Sequence, residues 1–327
     1  IEWSSIKADG TKVLLNDTAN GGLTCYRAIT GGKGPAAIAM VSPAPGATGV
    51  AFDAPVLVQL KDGQNIVDAG SIQLTVDGAA VSVTPSKVGD LTTVNYQPAA
   101  YWPSGSQHTV SIAFTSGGAA RTESWQFTVV TYATLTKAHQ AVSVDTSKRG
   151  FIWSVFQNET YLPNSLASCE LALAGELRDT GGVLLGNLAD PSMAAYALEY
   201  GVQVGALYQF ILPYESGAYI NLSQTEGTAL GNFGGDQQMC GIPGTTFSTD
   251  GIDAEVVTFV ELPAGVVTFT VASDDSFRAQ AGYINEPADG VLLSEVDGAT
   301  SNVTFRFLVQ AAGVYPLRVI WQEGGGD

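Results

Sequence analysis

Basic residues are scarce in this 327-residue chain: 14 Lys and Arg stand against 31 Asp and Glu, a formal charge of −17 at pH 7. A surface of that sign repels nucleic-acid phosphates and anionic lipid heads, so neither is an expected partner. It attracts divalent cations instead. Charged residues of both signs make up 14% of the chain, well under the usual quarter. Histidine is nearly absent, with two residues, His108 and His139, and neither is read beside a nucleophile. Nucleophile-elbow, zincin, P-loop and EF-hand patterns are missing. The chain is therefore expected not to be an enzyme. The three cysteines, Cys25, Cys169 and Cys240, match no zinc or redox spacing. No apolar run approaches the roughly 18 residues of a membrane-spanning helix, so membrane insertion is not expected.

What the chain has is glycine, 38 residues of it, and a hydrophobic fraction of 45%, enough for buried cores. Short apolar runs alternate with Gly/Asp turns, the pattern of strands rather than helices. Residues 1–35 hold strand-like runs and a Gly-rich linker. Residues 36–133 read as a compact sandwich, with strands at Val56–Leu60, Ser71–Val76, Thr92–Tyr96, Thr109–Phe114 and Trp125–Val129. Residues 134–327 read as a larger jelly roll with strands at Val202–Phe210, Ala254–Glu261, Val266–Ala272, Val303–Val309 and Tyr315–Gln322. Two short helices interrupt it: one capped by Asn164 and running to Leu177, the other capped by Asp190 with Pro191 at its first position and running to Tyr200. The expected fold class is all-β.

Two stretches carry a family resemblance. Ser42-Pro43-Ala44-Pro45-Gly46-Ala47-Thr48-Gly49-Val50, with Trp125-Gln126-Phe127-Thr128-Val129, resembles the first and last strands of bacterial Ig-like domains in large secreted proteins. Phe269-Thr270-Val271-Ala272-Ser273-Asp274-Asp275-Ser276-Phe277-Arg278, with Ala312-Gly313-Val314-Tyr315-Pro316-Leu317-Arg318-Val319, resembles the protective-antigen and flocculin-type lectin-like jelly roll. The chain departs from the second pattern at Ser276, where many members carry Gly. The resemblance implies a sandwich that often binds calcium and, in some members, sugar.

The adjacent Asp274 and Asp275 are the sharpest candidate site. Two neighbouring carboxylates repel unless a cation or hydrogen-bond donors neutralise them. Calcium takes roughly six to eight oxygens, so Asp250, Asp253 and the loop from Asn285 to Asp289 are candidate further ligands and calcium the candidate cofactor. Trp102, Trp125, Trp153, Tyr208, Tyr219 and Trp321 could stack on a sugar, but core packing is the default reading, and only Tyr101-Trp102-Pro103 looks exposed. Glu170 and Glu176 are read as solvated. Asn16, Asn158, Asn221 and Asn302 head glycosylation sequons. An extracellular setting predicts a Cys169–Cys240 disulfide, with Cys25 left over.

The last expectation concerns the two ends. Tyr315–Gln322 runs into Gly324-Gly325-Gly326-Asp327, a turn that wants a returning strand, and the chain opens on Ile1-Glu2-Trp3-Ser4-Ser5-Ile6. Ile1, Trp3 and Ile6 are therefore expected to pair with Leu317, Val319 and Trp321 of a neighbouring repeat, joining copies head to tail. The chain is thus read as a structural and adhesive repeat of an extracellular or cell-surface protein or filament. The alternative is a calcium-dependent carbohydrate-binding module of a larger secreted adhesin or glycan-active enzyme, with glycans as partners.

Overall fold

The computed structural model describes residues 34–145, 147, 149–194, 197–214, 219–224, 237–283 and 286–325, together with the backbone of strands Glu2–Ser5, Val13–Asp17 and Gly22–Tyr26. The fold is all-β, with one short α-helix among the described residues. None of their helices is long and apolar enough to cross a membrane. The chain divides into two compact units, Ile1–Thr131 and Tyr132–Asp327.

The first unit contains a three-stranded meander in which Val13–Asp17 lies between Glu2–Ser5 and Gly22–Tyr26. It also contains two facing sheets. One has the order Ala37–Ser42, Val56–Lys61, Leu91–Tyr96, Ser86–Val88. The other runs Ala47–Val50, Ala119–Val129, Gln107–Ser116, Val67–Val76, Ala79–Val81, with the first pair parallel. Alternation along the strands buries Val56, Val58 and Leu60 from one sheet and Val110, Ile112 and Phe114 from the other. This is the period-two pattern of strands that share one core. Hairpins close through residues with positive φ, as at Asp77–Gly78 (φ 52° and 79°), which suits the two-residue turns favoured by right-twisted strands.

The second unit is built on a seven-stranded antiparallel sheet. Its order is Glu199–Val204, Leu207–Leu212, Phe151–Gln157, Ile252–Leu262, Gly313–Glu323, Ser276–Ala281, Val291–Val296. A three-stranded sheet of Thr134–Leu135, Ser301–Val309 and Gly265–Ser273 covers one end of one face. Phe307, Val309, Leu135, Tyr315 and Leu262 fill the space between. Elsewhere on that face Phe151, Trp153, Phe210, Ile252 and Ala254 pack with Cys240 and Ile242. The opposite face carries the helix Leu166–Leu173, which touches Ile252–Leu262 and Gly313–Glu323.

Several expectations need correction. The helix is capped by Ser165, whose Oγ accepts the Ser168 N–H at 3.2 Å, rather than by Asn164, and it ends at Ala174. The second helix is absent among the described residues of 190–200. Asp190 Oδ1 accepts the Ser192 N–H (2.9 Å) to make a turn, and the chain then enters the strand Glu199–Val204. Val202–Phe210 is a hairpin broken at Gly205 (φ 60°), not one strand.

The strand-sharing expectation also fails at its receiving end. Gly313–Glu323 is hydrogen-bonded on both sides, to Ile252–Leu262 and to Ser276–Ala281, so it has no free edge. Leu317, Val319 and Trp321 pack into the cores of their own unit. Ile1 and Ile6 lie outside the described residues, and Trp3 sits on a strand paired with Val13–Asp17.

Cys169 and Cys240 are both buried, and no disulfide joins them. Cys169 packs against Ile320, whereas Cys240 belongs to the core that Val319 and Trp321 line. Side chains alternate across a strand, so the sheet itself stands between the two thiols.

Candidate metal centre

Asp274 and Asp275 form the tight connection between Gly265–Ser273 and Ser276–Ala281. The peptide between them is cis. Both are anchored through their backbones. The Asp275 N–H donates to Gln322 O (3.0 Å), Trp321 Nε1 donates to Asp274 O (2.8 Å), and Ser273 Oγ donates to Asp275 O (2.9 Å). The carboxylates are thereby held beside the end of Gly313–Glu323. Asp275 Oδ2 accepts from Asn164 Nδ2 at 2.6 Å and from the Gly324 N–H at 3.3 Å, and Thr300 Oγ1 donates to Asp274 Oδ1.

The third carboxylate is Glu323. Oxygens of Asp274, Asp275 and Glu323 lie within 4.8 Å of one another. Glu323 is 1% exposed, and its Oε2 has no hydrogen-bond partner. Burial pushes its carboxyl up to about 7, and the charges of Asp275, Asp274 and Asp250 add to the rise against the opposing Gly325 N–H. Burial likewise raises Asp275, with Asp274 adding to it while Gly324 and Asn164 oppose. No ion pair among the described residues reaches any of the three carboxylates. Three acidic groups held this close repel one another, and only neutral hydrogen-bond donors are bonded to them among the described residues.

The donor set is all oxygen, the kind of ligand a hard cation takes. Glu323 Oε2 is a buried acceptor with nothing to accept from, and a cation held by Asp274 and Asp275 would satisfy it. Asp250 lies at the rim, where a Cβ added to Gly325 would stand 3.6 Å from its Cγ. Asp253 does not join this group. It is buried, with burial pushing its carboxyl up to about 7 and a hydrogen bond with Cys169 opposing. It projects from the register position beside Ile252, on the side of the sheet that carries the helix.

Glu323 escaped the sequence reading because its strand position faced no motif. The only local signal was a carboxylate at a strand end, just before the glycine run. Asn164, expected to cap the helix, serves the site instead. Glu170 is partly exposed but paired: Arg318 holds its carboxyl below the ordinary range, with a bidentate pair at 2.7 Å to each oxygen, and Arg278 joins at 3.3 Å. Trp102 is 6% exposed, so the expected exposed aromatic is Tyr101 alone. Of the described sequon asparagines only Asn302 is exposed. Asn158 is buried, its Nδ2 donating to Gly186 O and its Oδ1 accepting from Thr160, and Asn221 is buried as well. Asn16 lies on a strand described only by its backbone.

No protein-family model matches the chain, and no curated protein matches it. Some solved structures resemble it in part. The PA14 domain of the antifreeze protein MpAFP is 14% identical over 57% of this chain and 83% of that domain, with a TM-score of 0.29. A chimeric titin Z1Z2 tandem is 9% identical over 85% of this chain and 99% of that one, at a TM-score of 0.22. A crystallised engineered protein is 27% identical over 29% of this chain, at a TM-score of 0.23, and the match spans a fifth (20%) of that protein's length. Similarity at this level carries no argument about fold or function.

Proposed function

We propose that the second unit is a calcium-dependent binding module of an extracellular adhesive protein, with Asp274, Asp275 and Glu323 as its carboxylate ligands. The observation that carries this reading is the buried, unpartnered Oε2 of Glu323 beside two further carboxylates. Calcium supplies the charge this trio lacks and needs further oxygens beyond it. Asp250 at the rim is placed to add one, and the remaining positions are open to water or to the hydroxyl oxygens of a glycan. Sites of this modest charge count suit millimolar extracellular calcium rather than cytosolic levels. The paired sandwiches and the acidic, weakly charged sequence fit the same setting.

Calorimetric titration of the whole chain with calcium tests the reading. One site per chain is expected, lost in Asp275→Asn and in Glu323→Gln. A glycan array probed with calcium and with chelator then tests the ligand class. Absence of calcium binding in the titration overturns the proposal. Glycan binding that survives chelation overturns the calcium-dependent part alone.

A further inference from the structure

The first unit holds a hydroxyl, an imidazole and a carboxylate in one hydrogen-bonded line. Ser106 Oγ lies 2.6 Å from His108 Nε2, and His108 Nδ1 lies 2.7 Å from Asp77 Oδ2. Local structure explains the alignment. Ser106 and His108 are two residues apart where the strand Gln107–Ser116 begins, so their side chains share a face. Asp77 heads the tight turn after Val67–Val76, and it exchanges two hydrogen bonds with Thr109: its N–H donates to Thr109 O (2.8 Å) and its Oδ1 accepts the Thr109 N–H (2.8 Å). The carboxylate is therefore fixed before it meets the imidazole. The His108 ring is 7% exposed and packs against Trp102, with ring centres 4.5 Å apart, and against Phe127. Ser106, in contrast, is partly exposed at the surface turn that begins at Pro103.

Proton placement follows from the partners. An ionised carboxylate accepts only, so Nδ1 carries a hydrogen toward Asp77, and the Nε2 lone pair faces the Ser106 hydroxyl. Burial alone would raise the Asp77 carboxyl, but the hydrogen bonds from His108 and Thr109 outweigh it and hold the group below its ordinary value. Ser106 Oγ also lies 2.6 Å from Pro103 O. Pro103 O has two lone pairs and accepts both the Ser106 N–H (3.1 Å) and the Ser106 hydroxyl, so the hydroxyl proton has to rotate away from that carbonyl to reach Nε2.

We propose that Ser106 is an activated nucleophile that takes acyl groups from activated esters, with His108 as general base and Asp77 as the positioning residue. Roles are recognised by geometry rather than by sequence order. In the step, Oγ bonds to the ester carbonyl carbon and its proton passes to Nε2. The carbon–oxygen bond to the leaving group breaks, and the departing oxygen takes the electron pair and then the proton from Nε2. Water repeats the sequence on the acyl-serine, releasing the acid and restoring the hydroxyl. The substrate class follows from what surrounds Oγ. The N–H groups of Gly105 and Ser106 are engaged with Val130 O and Pro103 O, so they do not stabilise an oxyanion. Lacking one such donor costs about 10²–10³ in rate, which restricts the site to aryl esters and excludes amides.

The test treats the whole chain with p-nitrophenyl acetate and maps acetylation by mass spectrometry. Ser106 is expected to react at least ~10²-fold faster than Ser104, an exposed serine of the same turn. Ser106→Ala removes the label. Asp77→Asn suits the positive φ of that position and should slow Ser106 labelling by roughly 10²–10⁴ while changing its pH profile. Equal labelling of Ser106 and Ser104 in the wild-type chain overturns the proposal without any variant. So does a folded Asp77→Asn variant that labels as fast as wild type. Either result leaves the array as a hydrogen-bonded lock on the Asp77 turn.

Discussion

Glu323 and Asp275 face each other across the junction of two neighbouring strands, with carboxylate oxygens within 4.8 Å and the Asp275 N–H bound to the carbonyl of Gln322, the residue before Glu323. The backbone forces the two acids together, and only the glutamate is fully buried. Their mutual repulsion and the burial both act against the cation-free protein, so substitutions here should have opposite effects with and without calcium.

Glu323→Gln should raise the melting temperature in chelator, because it removes a buried like charge, and abolish the rise that calcium gives the wild-type chain. At calcium one hundred times its Kd that rise corresponds to about 2.7 kcal/mol. Scanning calorimetry of both proteins in calcium and in chelator checks this. A glutamine variant that still gains stability from calcium would remove Glu323 from the ligand set.

Acidity should stabilise the cation-free second unit. Asp253 and Glu323 both stand near 7 in the folded chain, against 3.8 and 4.5 ordinarily. A carboxyl whose folded value is raised binds its proton more tightly in the native state. Its stabilising effect is therefore complete below the ordinary value and is lost as pH rises through about 7. For Asp253 the rise amounts to about 4 kcal/mol, an order-of-magnitude figure. Urea midpoints in chelator between pH 4 and pH 8 should fall, and Asp253→Asn should flatten part of that fall. A midpoint that climbs with pH over this range would contradict the assignment.

Arg318 should be the most sensitive position on the helix-bearing face. It is 4% exposed and pairs with Glu170 and, at 2.5 Å, with Glu255. Arg318→Met would leave those carboxylates facing one another without their cation, and loss of one partner of a buried pair costs about 3–5 kcal/mol. Chemical denaturation of the variant measures it, and a loss under about 1 kcal/mol would show the network to be peripheral.

Thiol counting settles the cysteines. In a Cys25→Ser chain denatured without reductant, both Cys169 and Cys240 should react with a maleimide, and in the native protein both should react slowly. Recovery of neither thiol after denaturation would reinstate the bridge.

The sequence made most strands legible because their alternation is strict. Val56–Lys61 and Ile252–Leu262 bury every second residue over much of their length, and Gly/Asp turns mark where they stop. It was misleading where a local signal had another use. Asp190-Pro191 has the chemistry of a helix start, but Asp190 closes a turn on Ser192 instead. Asp274 and Asp275 were visible as a pair, whereas Glu323 and Asn164 were not, because long-range strand register brings the first there and the loop before the helix brings the second. The Ser106–His108–Asp77 line was hidden for the same reason: Asp77 is 31 residues from His108 and meets it only through the hydrogen bonds that tie the turn to Thr109.

Gly313–Glu323 has a mechanical consequence. Its register with Ile252–Leu262 extends over the whole strand, and its other edge is bonded to Ser276–Ala281. Tension entering through Gly324 therefore loads two antiparallel ladders in shear at once, so their hydrogen bonds must give way together rather than unzip one by one. Glu323 is the first side chain such a pull would reach. A cation tying it to Asp274 and Asp275 would lie in parallel with both ladders at the loaded end, so calcium would set the rupture force as well as the melting point.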